Sequence, residues 1–197
     1  MFSQRFFSVY NDDMDTVNIV LAADNHGIRD SLKKLKEMYA DYDLFIHCGD
    51  SEMEVSEMDG YVCVKGNNDF AYYSEIPYHM TLNIKEHKIL VTHGHMILRS
   101  YFNHEPLAER AKAEGADIVF FGHTHMLCDE TIDGIRLLNP GSVTQNRDGS
   151  PPSYMLVHIS PEEVTAEKKE FIQSFGRKGG LLDRLMKFLM GEKEEEI

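Results

Sequence analysis

The sequence predicts an α/β fold in which two sheets pack together and helices flank them. Three observations carry that expectation. An apolar, β-branched run from Val17 to Ala23 is followed by a segment with helical periodicity, the start of a β-α order. The second half is rich in short strand-like runs separated by Gly and Pro turns. Finally, five stretches centred on Asp, His or Asn close apolar runs: Asp24-Asn25-His26, Gly49-Asp50, Gly66-Asn67-Asn68-Asp69, His93-Gly94-His95 and Gly122-His123-Thr124-His125.

Val17 to Ala23 reads as a strand buried on both faces, delivering Asp24 and His26 at its carboxyl end. Ile28, Leu32, Leu35 and Tyr39 then recur at helical spacing, with Lys33, Lys34 and Lys36 off that stripe, so Asp30 to Ala40 is an amphipathic helix. Leu44 to Cys48 and Tyr61 to Lys65 are the next strands, ending at Gly49-Asp50 and Gly66-Asn67. Ligand-type residues at the carboxyl ends of adjacent strands converge on one sheet edge, the usual place for a site in an open α/β fold. Met80 to Ile84 and Lys88 to Val91 form a hairpin around Lys85-Glu86. A helix from Pro106 to Glu114 turns Leu107, Ala108 and Ala111 inward, and Pro106 suits its first turn. Ile118 to Phe121 leads to Gly122-His123, and strands follow over Met126 to Ile132, Ile135 to Leu138, Tyr154 to Ile159 and Val164 to Lys169. Residues 1–16 read as a loose extension, residues 17–170 as the single domain, and residues 171–197 as a helical tail whose Leu181, Leu185, Phe188 and Leu189 share one stripe. That tail either packs on its own domain or docks, for instance as a dimer helix.

Bulk properties narrow the function. A chain of 197 residues buries a core without disulfides, and Cys48, Cys63 and Cys128 cannot all pair, so free thiols in a reducing, cytoplasmic setting are expected. A net charge of -13 speaks against a duplex nucleic-acid surface, although bound divalent cations would still attract a phosphate ester locally. No apolar stretch approaches the roughly 20 residues of a membrane span, and the start resembles neither a secretory nor a transit peptide.

The five stretches together supply oxygen and nitrogen ligands for two divalent ions, without a thiolate. This is the signature of a dinuclear metallohydrolase. Histidines 123 and 125, two apart in an extended segment, would face the same way and reach neighbouring ions. A histidine must be neutral to coordinate, so binding should weaken in acid.

In their order and wording (D-x-H, G-D, G-N-x-D, G-H, G-H-x-H), these stretches resemble the small calcineurin-like metallophosphoesterases. The resemblance runs from Val17 to about Ile159 and points to the minimal bacterial and archaeal phosphodiesterase type, related to the eukaryotic retromer subunit. It implies a four-layer α/β/β/α sandwich of two mixed sheets. It also implies one metal held by Asp24, His26, Asp50 and His125 and a second by Asp50, Asn67, His93 and His123. Asp50 would bridge the pair, which a bridging hydroxide nucleophile completes. Mn²⁺ is the implied activator, with Fe, Zn, Ni or Mg as alternatives.

The implied activity is hydrolysis of a small phosphodiester or nucleotide-like substrate. A phosphomonoesterase or nucleotidase is the alternative, and a protein-binding scaffold like the retromer subunit is the rival from another class. Monoester capture is less favoured because only Lys65 and Arg99 stand near the motifs. Larger relatives carry a histidine after the ligand Asn, whereas this chain has Asn68, which cannot serve as a general acid. His95 is a further candidate for orienting a ligand or touching phosphate. His47 and His158 read as satisfied core or edge histidines; His79, His87 and His104 read as surface residues.

Overall fold

Parallel pairing of three strands assembles the first half of the chain. In the computed structural model, which describes residues 7–8, 15–58, 60–69 and 75–172, β1 spans Phe7–Ser8, β2 Val17–Ala22 and β3 Leu44–His47. Helix α1 (Arg29–Met38) links β2 to β3, and a 3₁₀ turn (Val55–Met58) precedes β4 (Val62–Cys63). The remaining elements are β5 (His79–Ile84), β6 (His87–Thr92), α2 (Glu105–Glu114), β7 (Ile118–Phe120), β8 (Leu127–Ile132), β9 (Ile135–Pro140), β10 (Ser153–Ile159) and β11 (Val164–Glu170).

One sheet has the order β11-β10-β2-β3-β4, with β2, β3 and β4 parallel and β10 antiparallel to β2. The other has the order β1-β5-β6-β7-β9-β8, with β6, β7 and β9 parallel. Hairpins add β5 and β8 antiparallel to it. Both sheets are therefore mixed. The β8–β9 hairpin turns through Asp133 (φ 49°) and Gly134 (φ 82°), the paired left-handed residues of a two-residue turn matched to strand twist.

Three apolar clusters define the layers. Ile19, Leu21 and Ile46 of one sheet meet Leu82, Ile89, Val91 and Phe120 of the other in a shared core. Strand residues alternate faces, so Val20, Ala22 and Phe45 point the opposite way, where Leu32 and Leu35 of α1 cover them. Leu107, Ala108 and Ala111 of α2 cover Leu90, Val119 and Leu137 likewise. The expected α/β/β/α sandwich is the fold observed. Helix α2 stops at Gly115 (φ 69°), where the Ala116 N–H donates back to the Ala111 carbonyl at 2.8 Å.

Some expectations need adjustment. The strand expected over Tyr61 to Lys65 is limited to Val62–Cys63, because only these two residues pair with β3, opposite Ile46 and His47. Within the region read as a loose extension, Phe7–Ser8 pairs in parallel with Leu82 and Asn83. The apolar stripe from Leu181 to Leu189 lies outside the described residues.

Candidate metal centre

Every motif stretch follows a strand end, and the parallel neighbours β2-β3-β4 and β6-β7 point those ends to one edge of the sandwich. Loop backbones are stitched together there. The Asp24 N–H donates to the Gly49 carbonyl (3.1 Å), the His26 N–H to Asp50 (3.2 Å) and the Gly122 N–H to His93 (3.2 Å). The two sheets are joined by the His123 N–H, which donates to Asp24 Oδ2 at 3.1 Å.

Ligand-type atoms converge in two groups, each within 4.8 Å: Asp24, His26 and His125, and Asp24, Asp50 and His93. In the first, His125 Nε2 is 3.1 Å from Asp24 Oδ1 and 3.1 Å from His26 Nε2. In the second, His93 Nε2 is 3.4 Å from Asp50 Oδ2 and 4.0 Å from Asp24 Oδ1. Asn67 Oδ1 lies 3.2 Å from His93 Nε2, and the His123 ring centroid lies 5.2 Å from that of His93. Asp24 is common to both groups, and Asp50 sits in the second.

The histidine anchors show why a cation fits. His26 Nδ1 meets Glu52 Oε1 at 2.7 Å, His93 Nδ1 meets the Cys48 carbonyl at 2.7 Å, and His125 Nδ1 meets the Gln145 carbonyl at 3.1 Å. All three partners only accept, so each Nδ1 carries a proton, and each Nε2 is the nitrogen left for a cation, or a competing proton, at the centre. The fully buried Asp24 Oδ1 has no hydrogen-bond donor. Lone pairs facing one another with no proton between them are costly unless a cation or proton intervenes.

Proton competition is visible in the electrostatics. Burial alone would lower the His93 pKa, but its hydrogen bond to Asp50 and the charges of Asp24 and Asp50 raise it above its ordinary value. Burial alone would raise the Asp50 carboxyl, yet His93 and the Asn68 N–H hold it well below the carboxylate range. Desolvation, helped by His93, pushes His123 down to about 4, so that ring is neutral at ordinary pH.

Backbone strain concentrates here. Asp24 (φ 55°), His26 (44°), Asp50 (54°), His123 (67°) and His125 (54°) all adopt left-handed conformations, as does Glu52 (51°). Such torsions cost of order 1 kcal/mol each and persist where surroundings over-determine them. They also correct one expectation: His123-Thr124-His125 is not extended. Its twists send His125 toward His26 and leave His123 beside His93. Close packing explains Gly66, where a Cβ would lie 2.0 Å from Asp50 Oδ1.

Asn68 is exposed and grips Asp50, its N–H donating to Oδ1 and its Nδ2 to Oδ2, both at 2.7 Å. The His95 ring lies 5.2 Å from His93 and 6.2 Å from His123, with a buried, unpartnered Nδ1. His158 Nδ1 pairs with Asn18 Oδ1 at 2.7 Å, a satisfied histidine as expected. His47 is less satisfied than expected, since its Nδ1 accepts from the Gly49 N–H but its Nε2 is buried without a partner. His104 is also no plain surface residue, because its side chain is only 13% exposed.

Three residues were not anticipated. Asp69 accepts from the Asp50, Glu52 and Gly66 N–H groups and the Ser51 hydroxyl, locking the β3 and β4 loops together. Its place in Gly66-Asn67-Asn68-Asp69 was the available signal. Glu52 anchors His26, and Arg147 donates from Nη1 to the His123 carbonyl at 3.0 Å while lying 4.8 Å over the Tyr101 ring. Nothing in the sequence around Arg147 marks it.

Residues 17–162 match the model of the calcineurin-like phosphoesterase superfamily domain. The chain belongs to this superfamily. It is 34% identical over 158 residues to a probable metallophosphoesterase of Bacillus subtilis, covering 76% of this chain and 88% of that one. A phosphodiesterase of Methanocaldococcus jannaschii is 26% identical, over 79% of this chain and 96% of its own. Among solved structures, a predicted phosphoesterase from Streptococcus pneumoniae superposes with a TM-score of 0.68 at 27% identity, covering 79% of this chain and 99% of that one. The chain is thus a metallophosphoesterase of a family that uses divalent metals, and its described residues include candidate metal-binding groups. No described helix is long and apolar enough to cross a membrane.

Proposed function

We propose that this protein is a dinuclear metal-dependent phosphodiesterase acting on a small phosphodiester or nucleotide-like substrate in the cytoplasm. The observation that carries the reading is the convergence of three Nε2 atoms, anchored through Nδ1, around the donor-free Asp24 Oδ1. Asp24, His26, Asp50 and His125 would hold one ion and Asp50, Asn67, His93 and His123 the other, with Mn²⁺ the favoured metal. When bound, such ions supply Lewis acidity toward phosphoryl oxygen and activate water at neutral pH. Glu52 and the Cys48 and Gln145 carbonyls fix the rings of His26, His93 and His125. Asn68 orients the Asp50 carboxylate and has no proton to give a leaving group. His95, its pKa lowered mainly by desolvation, packs beside His93 and His123 as the candidate for touching phosphate or moving a proton.

One observation favours the monoesterase reading: Arg147 places a guanidinium beside His123, which supplies the cation that dianionic monoesters prefer. The scaffold reading finds no support in the residues, since all seven ligand positions are kept. The test is elemental analysis of the purified protein, followed by rates on bis(p-nitrophenyl) phosphate and p-nitrophenyl phosphate with Mn²⁺. At least two metal equivalents and faster diester turnover are expected. Faster monoester turnover would select the second reading, and a loaded protein inert to both esters would select the scaffold.

A further inference from the structure

Away from the centre, a second set of ligand atoms meets at the base of α2 and on β8. His104 Nδ1, Cys128 Sγ and Glu130 Oε1 lie within 4.8 Å of one another, at separations of 2.5 Å (His104 to Glu130), 3.8 Å (His104 to Cys128) and 3.4 Å (Cys128 to Glu130). Cys128 and Glu130 are two apart on one strand and so share a face, and His104 caps the helix opposite them. The second nitrogen of His104, Nε2, is 3.1 Å from the Tyr101 carbonyl, which only accepts. Nε2 therefore carries a proton, and Nδ1 is the atom free to coordinate. Both Cys128 and Glu130 face this same Nδ1. A relay of the Cys-His-acid kind needs them on opposite ring nitrogens, so the cluster is not a nucleophilic triad.

We propose that His104, Cys128 and Glu130 form a separate mononuclear site for a borderline-soft divalent cation, Zn²⁺ foremost. Tetrahedral zinc with bonds of about 2.0–2.3 Å places a sulfur about 3.6 Å from its nitrogen and oxygen neighbours, close to the two sulfur distances observed. Only the His104–Glu130 separation must open, to about 3.3 Å, and Glu130, whose side chain is 44% exposed, has room to move. A thiolate with imidazole selects zinc over the harder ions that the thiolate-free centre accommodates. With three protein ligands, a fourth position faces the shallow cavity of about 420 Å³ lined by Phe102, Met126 and Asp148. Burial, aided by Glu130 and Asp129, raises the Cys128 thiol well above its ordinary range, so it remains unreactive until a cation claims it. Occupancy would pin the loop carrying Tyr101, whose ring lies 5.3 Å from His123.

The test uses the full reduced, metal-free chain titrated with Co²⁺ and followed by absorbance. Only a sulfur ligand gives an intense near-ultraviolet thiolate-to-cobalt band, and the proposed dinuclear centre has none. A band whose plateau corresponds to one thiolate-bound cobalt per chain, retained in Asp24→Asn, displaced by Zn²⁺ and lost in Cys128→Ser, is expected. Glu130→Gln, an exposed change that leaves the fold intact, should weaken Zn²⁺ affinity at least about tenfold. No thiolate band in the wild-type chain, a band that persists in Cys128→Ser, or unchanged zinc affinity in Glu130→Gln would overturn the proposal.

Discussion

Asp50 is held from several sides: His93 Nε2 at 3.4 Å, two donors from Asn68, and its own N–H on Asp69. If it serves both ions, Asp50→Ala should lower metal occupancy and cut turnover on the order of 10³-fold while the fold persists. Metal occupancy in that variant equal to that of the wild type, by elemental analysis, would refute the bridging role. Asn68 leads to a different expectation. Because its amide donates to Asp50 and has no acidic proton, wild-type rates across a diester series should fall steeply as leaving-group pKa rises. Asn68→His should flatten that slope, with gains of up to about 10²-fold confined to poor leaving groups. A wild-type rate indifferent to leaving group, with chemistry rate-limiting, would point instead to His95 as the acid.

At the level of elements, what matters is how loops after parallel strands crowd together. A Cβ on Gly66 would stand 2.0 Å from Asp50 Oδ1 and 2.4 Å from Asp50 N, so β4 cannot deliver Asn67 with any larger residue in that place. Gly66→Ala should cost at least about 1–3 kcal/mol of stability and also weaken metal binding, since relief requires moving Asp50. Gly134 makes the contrasting case. It has φ 82° in the β8–β9 turn, and a methyl added there would meet nothing within 4 Å, so Gly134→Ala should cost only about 1 kcal/mol of backbone strain and leave metal affinity unchanged. Thermal unfolding beside metal titration of the two variants checks both.

Across the whole molecule, buried histidines tie stability to pH. His47, fully buried, is pushed down to about 4 by desolvation, while an unfolded chain titrates near 6.5. Between those values the unfolded state binds the extra proton, so stability present above about 6.5 is lost as pH falls toward 4, by up to about 3 kcal/mol. His93 has the opposite sign. Its raised pKa contributes stability that is complete below 6.5 and fades as pH climbs through the folded value. Chelator-treated protein should therefore be most stable near pH 6.5, by denaturant unfolding across a pH series, and His47→Gln should flatten the acid limb. Metal affinity should increase with pH over the window in which His93 gives up its proton.

Much of this was legible in the chain itself. Val17 to Ala23 could only be a doubly buried strand, Leu32 and Leu35 only a helix face, and the five motif stretches announced metal chemistry through residue type and order. Local periodicity and ligand chemistry suffice for such statements because both are properties of short segments. The sequence left open what depends on residues far apart meeting in space. The left-handed turn that sends His125 to His26, ninety-nine positions earlier, is one case, and Arg147 beside His123 is another. The convergence of His104 with Cys128 and Glu130 is a third, since it arises only when α2 packs on the outer face of its sheet and brings its cap to β8. Non-local contacts are fixed by strand order and layer packing, which no short pattern encodes, and so tertiary structure alone decided them.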